Sequence, residues 1–345
     1  MDGRADEPGG AEQTAVVAAI HSGDEATFAR LVEQHRHELQ VHCYRMLGSF
    51  ADSEDMVQEA LLRAWHKRES FQGRSTFRAW LYRIATNTCL DALAGPSRAR
   101  EVPMAADSGG TRSSMAEIPW LQPYPDHLLD AAAPSDGQPD AVAIARETIE
   151  LAYLAAVQYL PPKQRAVLIL RDVLGWPAPA AAEALEISLP SLKSALQRAR
   201  ATLRTHLPEQ RSEWGPSTHP SDEERAVLRR FMEATERADL KTLTALLRED
   251  ARQTMPPEPF CFEGRDAILA MWTPVMIGPE AWGDWRTVAT AANRQPAVAN
   301  YVRRHGEPHY EAVNLDVLRI ENGLVAEITT FGPELFPAFR LAARL

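Results

Sequence analysis

The spacing of apolar residues predicts helices through most of residues 24–207. Apolar positions recur three or four residues apart, which is the period of one helix face, in 28–35, 57–65, 77–85, 149–160 and 167–170. A short helix over Ala178–Leu185, a turn at Glu186–Ser188 and a longer helix over Leu189–Leu207 follow. We therefore expect this part of the chain to be all-α.

The pattern changes beyond residue 220. Ser221 and Glu224 form a capping box that opens a helix, and further helices are predicted over Leu240–Leu247 and Arg265–Val275. Strands are predicted around Thr254, at Phe260–Phe262 and in the alternating runs Trp285–Ala292, Val298–Arg303, Tyr310–Ile320 and Leu324–Phe331. Asn322-Gly323 marks a hairpin turn between the last two strands. This block is predicted to be α+β, with helices first and then a curved antiparallel sheet.

Two stretches rich in proline and glycine, 101–140 and 208–220, predict linkers between these blocks. The 345 residues are long enough for two or three domains. The predicted organisation is a flexible N-terminus (1–23), a helical domain (24–95), a linker (96–140), a second helical domain (141–207), a linker (208–220) and an α+β domain (221–345).

The distribution of charge along the chain leads to a different conclusion about DNA binding than the net charge does. The chain carries a net charge of −10, which by itself argues against nucleic acid as a partner. Residues 63–100, however, hold eight basic and two acidic residues, and residues 141–208 hold eight basic and five acidic ones. Because attraction to phosphate is local, with a Debye length of about 10 Å, two basic stretches are compatible with DNA binding.

The cysteines and the hydropathy profile bear on compartment and on metal binding. Cys43, Cys89 and Cys261 lie far apart in sequence, which argues against a zinc ribbon or a disulfide framework and fits a reducing cytoplasm. No apolar run approaches the roughly 20 residues that span a bilayer, and the acidic N-terminus lacks an export pattern. We expect a cytoplasmic protein with no membrane contact, no metal and no cofactor.

An acidic amphipathic helix over 52–65 is followed directly by a loop in which aromatic and basic residues alternate. The helix turns its apolar stripe to a core and leaves a polar face outward, formed by Asp52, Asp55, Gln58, Glu59 and Leu62. The loop and the next helix supply candidate contacts to single-stranded DNA, because cations follow phosphates and aromatic faces accept unstacked bases. These candidates are Lys67, Arg68, Phe71, Arg74, Arg78, Trp80 and Arg83. Phe77 and Leu81 are expected in the core, and for Trp80 both core and DNA stay open.

The second helical block ends in a helix-turn-helix pattern. The second helix of that pattern buries Leu192, Ala195, Leu196, Ala199 and Leu203 on one face. With its N-terminus in a major groove, Ser191, Lys193, Ser194 and Gln197 would approach base edges. Arg198, Arg200 and Arg204 would then contact phosphates.

The two helical blocks resemble one family, the sigma factors of bacterial RNA polymerase, in their compact extracytoplasmic-function (ECF) group. The residues that carry the resemblance are Asp52-x-Glu54-Asp55-x-Val57-Gln58-Glu59, Phe77-x-x-Trp80-Leu81-Tyr82, Leu160-Pro161-x-x-Gln164-Arg165 and Ser191-x-Lys193-Ser194-x-Leu196-x-Arg198-Ala199-Arg200. The resemblance implies a promoter-melting domain that reads the −10 element, with Asn87 as a further contact to it, and a helix-turn-helix domain that reads the −35 element. It also implies that the polar face of residues 52–62 binds core RNA polymerase, whose clamp and flap regions are the expected partners together with promoter DNA. Glu186, where the turn often has glycine, and Pro177 and Pro179 depart from the pattern.

The third block resembles the SnoaL-like domains, a cone-shaped α+β fold shared with ketosteroid isomerases. The motif Pro119-Trp120-Leu121-x-Pro123 in the first linker resembles that of sigma factors with such a tail. In that subset the tail is implied to tune activity in cis, so we expect a regulator and not an enzyme, with room in the cone for a small apolar ligand. From the acidic tail and from apolar Trp120, Leu121, Leu128 and Leu129, we expect the tail to pack on the −35 domain and on the first linker.

Two alternatives stay open. An active isomerase or cyclase would need a carboxylate base and acidic donors in one cavity. The candidates are Tyr301, His305, His309, Tyr310, Glu311 and Asp316. A stand-alone helix-turn-helix repressor would explain the second block but not the acidic helix and the loop after it.

Overall fold

A computed structural model describes residues 17–18, 20–21, 23–95, 118–131, 149–207 and 220–345. The predicted flexible N-terminus up to residue 16 and most of both predicted linkers lie outside these residues. The chain divides into two compact units. Unit one holds the described residues up to 95 and 160–202, and unit two holds 118–130, 149–159 and the described residues from 203 onwards. Within the described ranges, no helix is both long and apolar enough to cross a membrane.

Four helices form the first part of unit one. They are α1 (Glu25–Glu33), α2 (Arg36–Leu47), α3 (Phe50–His66) and α4 (Phe77–Ala94), with a 3-10 turn at Arg68–Ser70. Side-chain caps set three of the starts, because Asp24, Ser49 and Thr76 accept hydrogen bonds from backbone N–H groups in the first turns of α1, α3 and α4. The apolar stripes of these helices meet in a single core.

The rest of unit one is helical as well. It comprises α7 (Pro162–Leu168), a π-helical turn (Ile169–Val173), α8 (Ala178–Ala184) and most of α9 (Leu189–His206). Ala166 and Ile169 join the core of the first four helices, and the buried Arg165 guanidinium donates to the carbonyl of Met46 in α2. Glu186 in the helix-turn-helix has a left-handed φ of 53°, which explains why glycine suits this position.

A six-stranded sheet forms the centre of unit two. Its strands are β1 (Leu247–Met255), β2 (Glu258–Glu263), β3 (Asp284–Ala292), β4 (Gln295–Arg303), β5 (Glu311–Glu321) and β6 (Leu324–Phe331), in the order β2-β1-β6-β5-β4-β3. Helices α10 (Asp222–Glu236), α11 (Leu240–Leu246) and α12 (Arg265–Met276) share a core with this sheet, and α10 begins at the predicted capping box. The expectation of a wholly antiparallel sheet is wrong for one pair, since β1 and β6 are parallel.

The first linker contributes a docked segment, residues 118–130, to unit two. The segment runs into α5 (Asp126–Ala131), and α6 (Leu151–Gln158) belongs to the same unit. Ile118, Leu121 and Tyr124 are buried, and Pro125 forms a bridge with Ala292 at the end of β3. The predicted contact between the tail and this linker is therefore confirmed.

The turn between β3 and β4 carries the polar contacts to the docked segment. Asn293 accepts a hydrogen bond from Tyr124 N–H (2.7 Å) and donates one to the carbonyl of Ile149 (2.7 Å). The backbone N–H of Arg294 donates to Asp126 (2.8 Å), and its guanidinium contacts Asp130 (2.5 Å). Both turn residues have left-handed φ values, 57° and 62°, as a tight two-residue hairpin requires.

Candidate functional site

The polar face predicted on α3 is present and borders a groove. Asp55, Gln58, Glu59 and Leu62 line a depression of about 560 Å³, together with residues near the end of α4. Leu62 is 52% exposed although it is a large apolar residue. Arg63 bridges Glu59 (2.7 Å) and Asp91 of α4 (2.6 Å), which raises the pKa of Arg63 through these hydrogen bonds. Asp52, which lies one turn before Asp55 on α3, is half-buried. The face is thus polar, with one exposed apolar residue at its C-terminal end.

The basic candidates after α3 reach solvent to different degrees. Lys67 and Arg74 are exposed, whereas Arg83 and Asn87 are half-buried. Arg68 lies over the ring of Trp65 at 4.3 Å, a cation–π contact. Arg78 lies over the ring of Tyr82 and pairs with Glu38 at 2.6 Å. Burial raises the pKa of Glu38, but hydrogen bonds from His35 and Arg78 outweigh this and lower it overall.

The expectation that Phe71 and Trp80 present their aromatic faces to DNA is wrong. Phe71 is 2% exposed and Trp80 is 3% exposed, so the structure buries both. Their ring centroids are 5.4 Å apart, and Phe71 also contacts Phe77 at 5.5 Å. The physical reason is that α4 turns positions 77, 80, 81 and 84 to the core while the loop folds Phe71 onto them. For Trp80 the core interpretation is correct.

The seven predicted contacts on α9 are all exposed: Ser191, Lys193, Ser194, Gln197, Arg198, Arg200 and Arg204. Leu192, Ala195, Ala199 and Leu203 are buried on the opposite face, as predicted, whereas Leu196 is half-buried and packs at the edge of this core. Arg198 donates a hydrogen bond to Ser194 (2.8 Å), and Arg200 forms a bidentate salt bridge with Asp172 (2.7 and 2.8 Å). Arg200 must therefore exchange this carboxylate for any phosphate that it binds.

A second concave site lies in the α+β domain. A cavity of about 350 Å³ is walled by aromatic and apolar side chains, among them Phe231, Trp272, Trp282 and Trp285. Its polar side contains Asp316, which is buried and accepts hydrogen bonds from Thr330 (2.6 Å), Asn300 (2.7 Å) and Asn314 (3.2 Å). Burial raises the pKa of Asp316 to about 6, against the lowering effect of the hydrogen bonds from Thr330 and Asn300.

Of the six residues proposed for an enzyme site, only Asp316 lines this cavity. Tyr301 donates its hydroxyl proton to the carbonyl of Ala342, and Tyr310 lies beneath the guanidinium groups of Arg303 and Arg286. His305, His309 and Glu311 are exposed. Gln253, Asn300 and Thr330 were missed, because they come from three other strands and their sequence neighbourhood carries no signal for a shared site.

Comparison with known protein families identifies all three predicted domains of the chain. The family models for Sigma-70 region 2, Sigma-70 region 4 and the SnoaL-like domain match residues 31–99, 150–203 and 228–328. The combination defines a sigma factor with an added C-terminal domain.

Similar proteins show to which group of sigma factors the chain belongs. The chain is 40% identical over 320 residues to the ECF RNA polymerase sigma factor SigG of Mycobacterium tuberculosis, covering 91% of this chain and 84% of that protein. It is 28% identical over 191 residues to the ECF sigma factor SigW of Bacillus subtilis, covering 55% of this chain and 94% of SigW. The crystal structure of the Mycobacterium tuberculosis ECF sigma factor SigJ has the same fold, with a TM-score of 0.57, 21% identity and coverage of 91% of this chain and 99% of that one. The chain belongs to the ECF RNA polymerase sigma factors, and its function is that of an alternative sigma factor.

Proposed function

We propose that this sigma factor works through two exposed surfaces of its helical domains and is tuned in cis by its SnoaL-like domain. The polar face of α3 would bind the polymerase clamp, and the helix-turn-helix would bind the −35 element near the flap. The site of action is then the cytoplasm, where the polymerase is.

The polar face of α3 suits a protein partner. Asp55 and Gln58 are exposed and lie about two turns and one turn before Leu62 on the same helix, so a partner could bury one apolar side chain beside polar contacts. The basic residues after α3 would hold the melted −10 strand chiefly through Lys67, Arg74, Arg78 and Arg83. Phe71 and Trp80 would stay in the core and support the loop.

The contact between the docked segment and the β3–β4 turn is the observation that carries the regulatory part of the proposal. The segment belongs to the linker between the −10 and −35 domains in sequence, and it is held by buried hydrogen bonds to Asn293 and Arg294. Leu151, at the start of α6, also donates its backbone N–H to Gln295 of β4 (3.1 Å). A domain that holds this linker restricts which linker conformations the polymerase meets.

Promoter-dependent transcription by core polymerase with the full-length chain tests this proposal. Asn293→Gly removes the side chain that binds the linker but keeps a residue that accepts the left-handed φ of 57°. Asn322→Gly is the matched control, since Asn322 occupies the β5–β6 turn with φ 51° and is exposed. We expect Asn293→Gly alone to change promoter output. Equal output from the two variants and the unaltered chain would contradict control in cis.

The SnoaL-like domain is proposed to bind a ligand and not to catalyse a reaction. Isomerisation needs acidic donors that stabilise a developing oxyanion, in addition to a carboxylate base. Among the described side chains that line the cavity, Asp316 can serve as a base, but none is a tyrosine or a second acid. Absence of turnover of a ketosteroid by the purified chain would agree with this assignment, and turnover that is lost in Asp316→Asn would refute it.

A further inference from the structure

The lining of the cavity in the SnoaL-like domain carries a negative charge and no positive one among the described residues. Within the described residues, Asp316 is the only charged side chain that lines it, and no lysine, arginine or histidine does. Trp272, Trp282 and Trp285 supply much of the wall, and the rings of Trp282 and Trp285 stack at 5.9 Å between centroids. The cavity therefore combines one buried carboxylate with several aromatic faces.

The hydrogen bonds around Asp316 all run in one direction. Thr330 gives its hydroxyl proton to Asp316, so it can only accept the hydrogen bond from Gln253 (2.9 Å). Asn300 and Asn314 likewise turn their amide N–H groups towards the carboxylate. In consequence the amide oxygens of Gln253, Asn300 and Asn314 are buried without a hydrogen-bond partner among the described residues.

This arrangement provides acceptors and lacks a cation. A buried charge is costly unless it is paired, and the three neutral donors do not neutralise Asp316. Aromatic faces attract cations through the ring quadrupole, most strongly those of tryptophan. An ammonium group has three donors and a positive charge, which match a carboxylate and neighbouring amide oxygens.

We propose that this cavity binds an organic ammonium compound, with its apolar body against the tryptophan faces and its protonated amine donating to Asp316. This inference rests on the ligand-binding role proposed above for the SnoaL-like domain, and it gives the ligand a positive charge that the small apolar ligand expected from the resemblance does not include. Trp285 Nε1 is the one unpartnered buried donor among the described lining residues, so a ligand rich in acceptors has little to bind there.

Calorimetric titration of the full-length chain at pH 7.5 tests the proposal with three ligands of one shape. Phenylbutylamine, phenylbutanol and phenylbutyrate share an apolar body and present an ammonium, a hydroxyl and a carboxylate group. We expect the amine to bind at least about tenfold more tightly than the alcohol, and the carboxylate most weakly. Equal affinity for all three, tighter binding of the alcohol or carboxylate, or no binding of the amine would overturn the proposal.

Variants identify the group that selects the charge. Asp316→Asn is expected to lower the affinity for phenylbutylamine to that for phenylbutanol. Asp222→Asn is the matched control, because Asp222 is exposed in the first turn of α10 and pairs with Arg225. Unchanged amine affinity in a folded Asp316→Asn protein would contradict the assignment. The ligand series on the unaltered chain tests the proposal even where that variant does not fold.

Discussion

Replacing Asn293 by glycine should weaken the hold on the docked segment while leaving the β3–β4 turn in place. The substitution removes the acceptor of the Tyr124 N–H and the donor to the Ile149 carbonyl, both at 2.7 Å and both buried. Each buried backbone group left without a partner costs about 1–3 kcal/mol. The two losses together should weaken docking by roughly 2–6 kcal/mol, with glycine itself tolerated at this φ.

Hydrogen exchange at two amides outside the substituted contacts measures this loss. Leu128 N–H donates to the carbonyl of Pro125 in the docked segment, and Leu154 N–H donates to Glu150 at the start of α6. A loss of roughly 2–6 kcal/mol in local opening corresponds to exchange faster by about 30-fold to roughly 20,000-fold. The Asn322→Gly control should leave both rates within about twofold. Unchanged rates at Leu128 and Leu154 in Asn293→Gly would show that burial of Ile118, Leu121 and Tyr124 holds the segment without these hydrogen bonds.

Three further predictions concern the other sites. Leu62→Arg or Asp55→Arg should weaken pull-down of core polymerase while the exposed control Glu69→Arg does not, and equal pull-down by all three would remove the α3 surface from the proposal. In the −35 domain, Gln197→Ala should change which promoter sequence is preferred, at about 1–3 kcal/mol per lost base contact, whereas Arg200→Ala should weaken all sequences alike; a uniform loss with Gln197→Ala would contradict the docking of α9. The pKa of Asp316 is raised from 3.8 to about 6, so between these pH values the folded state holds a proton that the unfolded state has lost. Unfolding transitions should therefore show the SnoaL-like domain losing roughly 3 kcal/mol of stability as pH rises through this window. Asp316→Asn should abolish this slope, and a slope that persisted in the variant would refute the burial argument.

The local parts of the fold could be predicted from sequence. The period of the apolar residues placed the helix-turn-helix over 178–185 and 189–207, against observed helices Ala178–Ala184 and Leu189–His206. The Ser221 capping box and the Asn322-Gly323 turn depend on residues close in sequence, and both are present. The exposed stripe of α9 follows from the same period, because the buried face fixes the opposite one.

The rest depends on contacts between distant residues. Burial of Phe71 results from how a loop closes on α4, and the parallel pairing of β1 with β6 joins residues about 80 positions apart in the chain. The cavity shows the limit most clearly. Strict alternation on β5 places Val313 and Asn314 on opposite faces, but a bulge opposite Asn300 and Tyr301 lets both line the cavity with Asp316.

Asn293 also bears on how the chain can vary. Its side chain binds a backbone group at position 124 and another at position 149, so it fastens the two ends of a 24-residue interval between them. For a flexible chain, doubling the length of a closed interval costs only about 0.6 kcal/mol in entropy. Changes of chain length after the docked segment, between residues 131 and 149, should therefore be tolerated among related sigma factors far more readily than any change at the asparagine that joins the two ends of the interval.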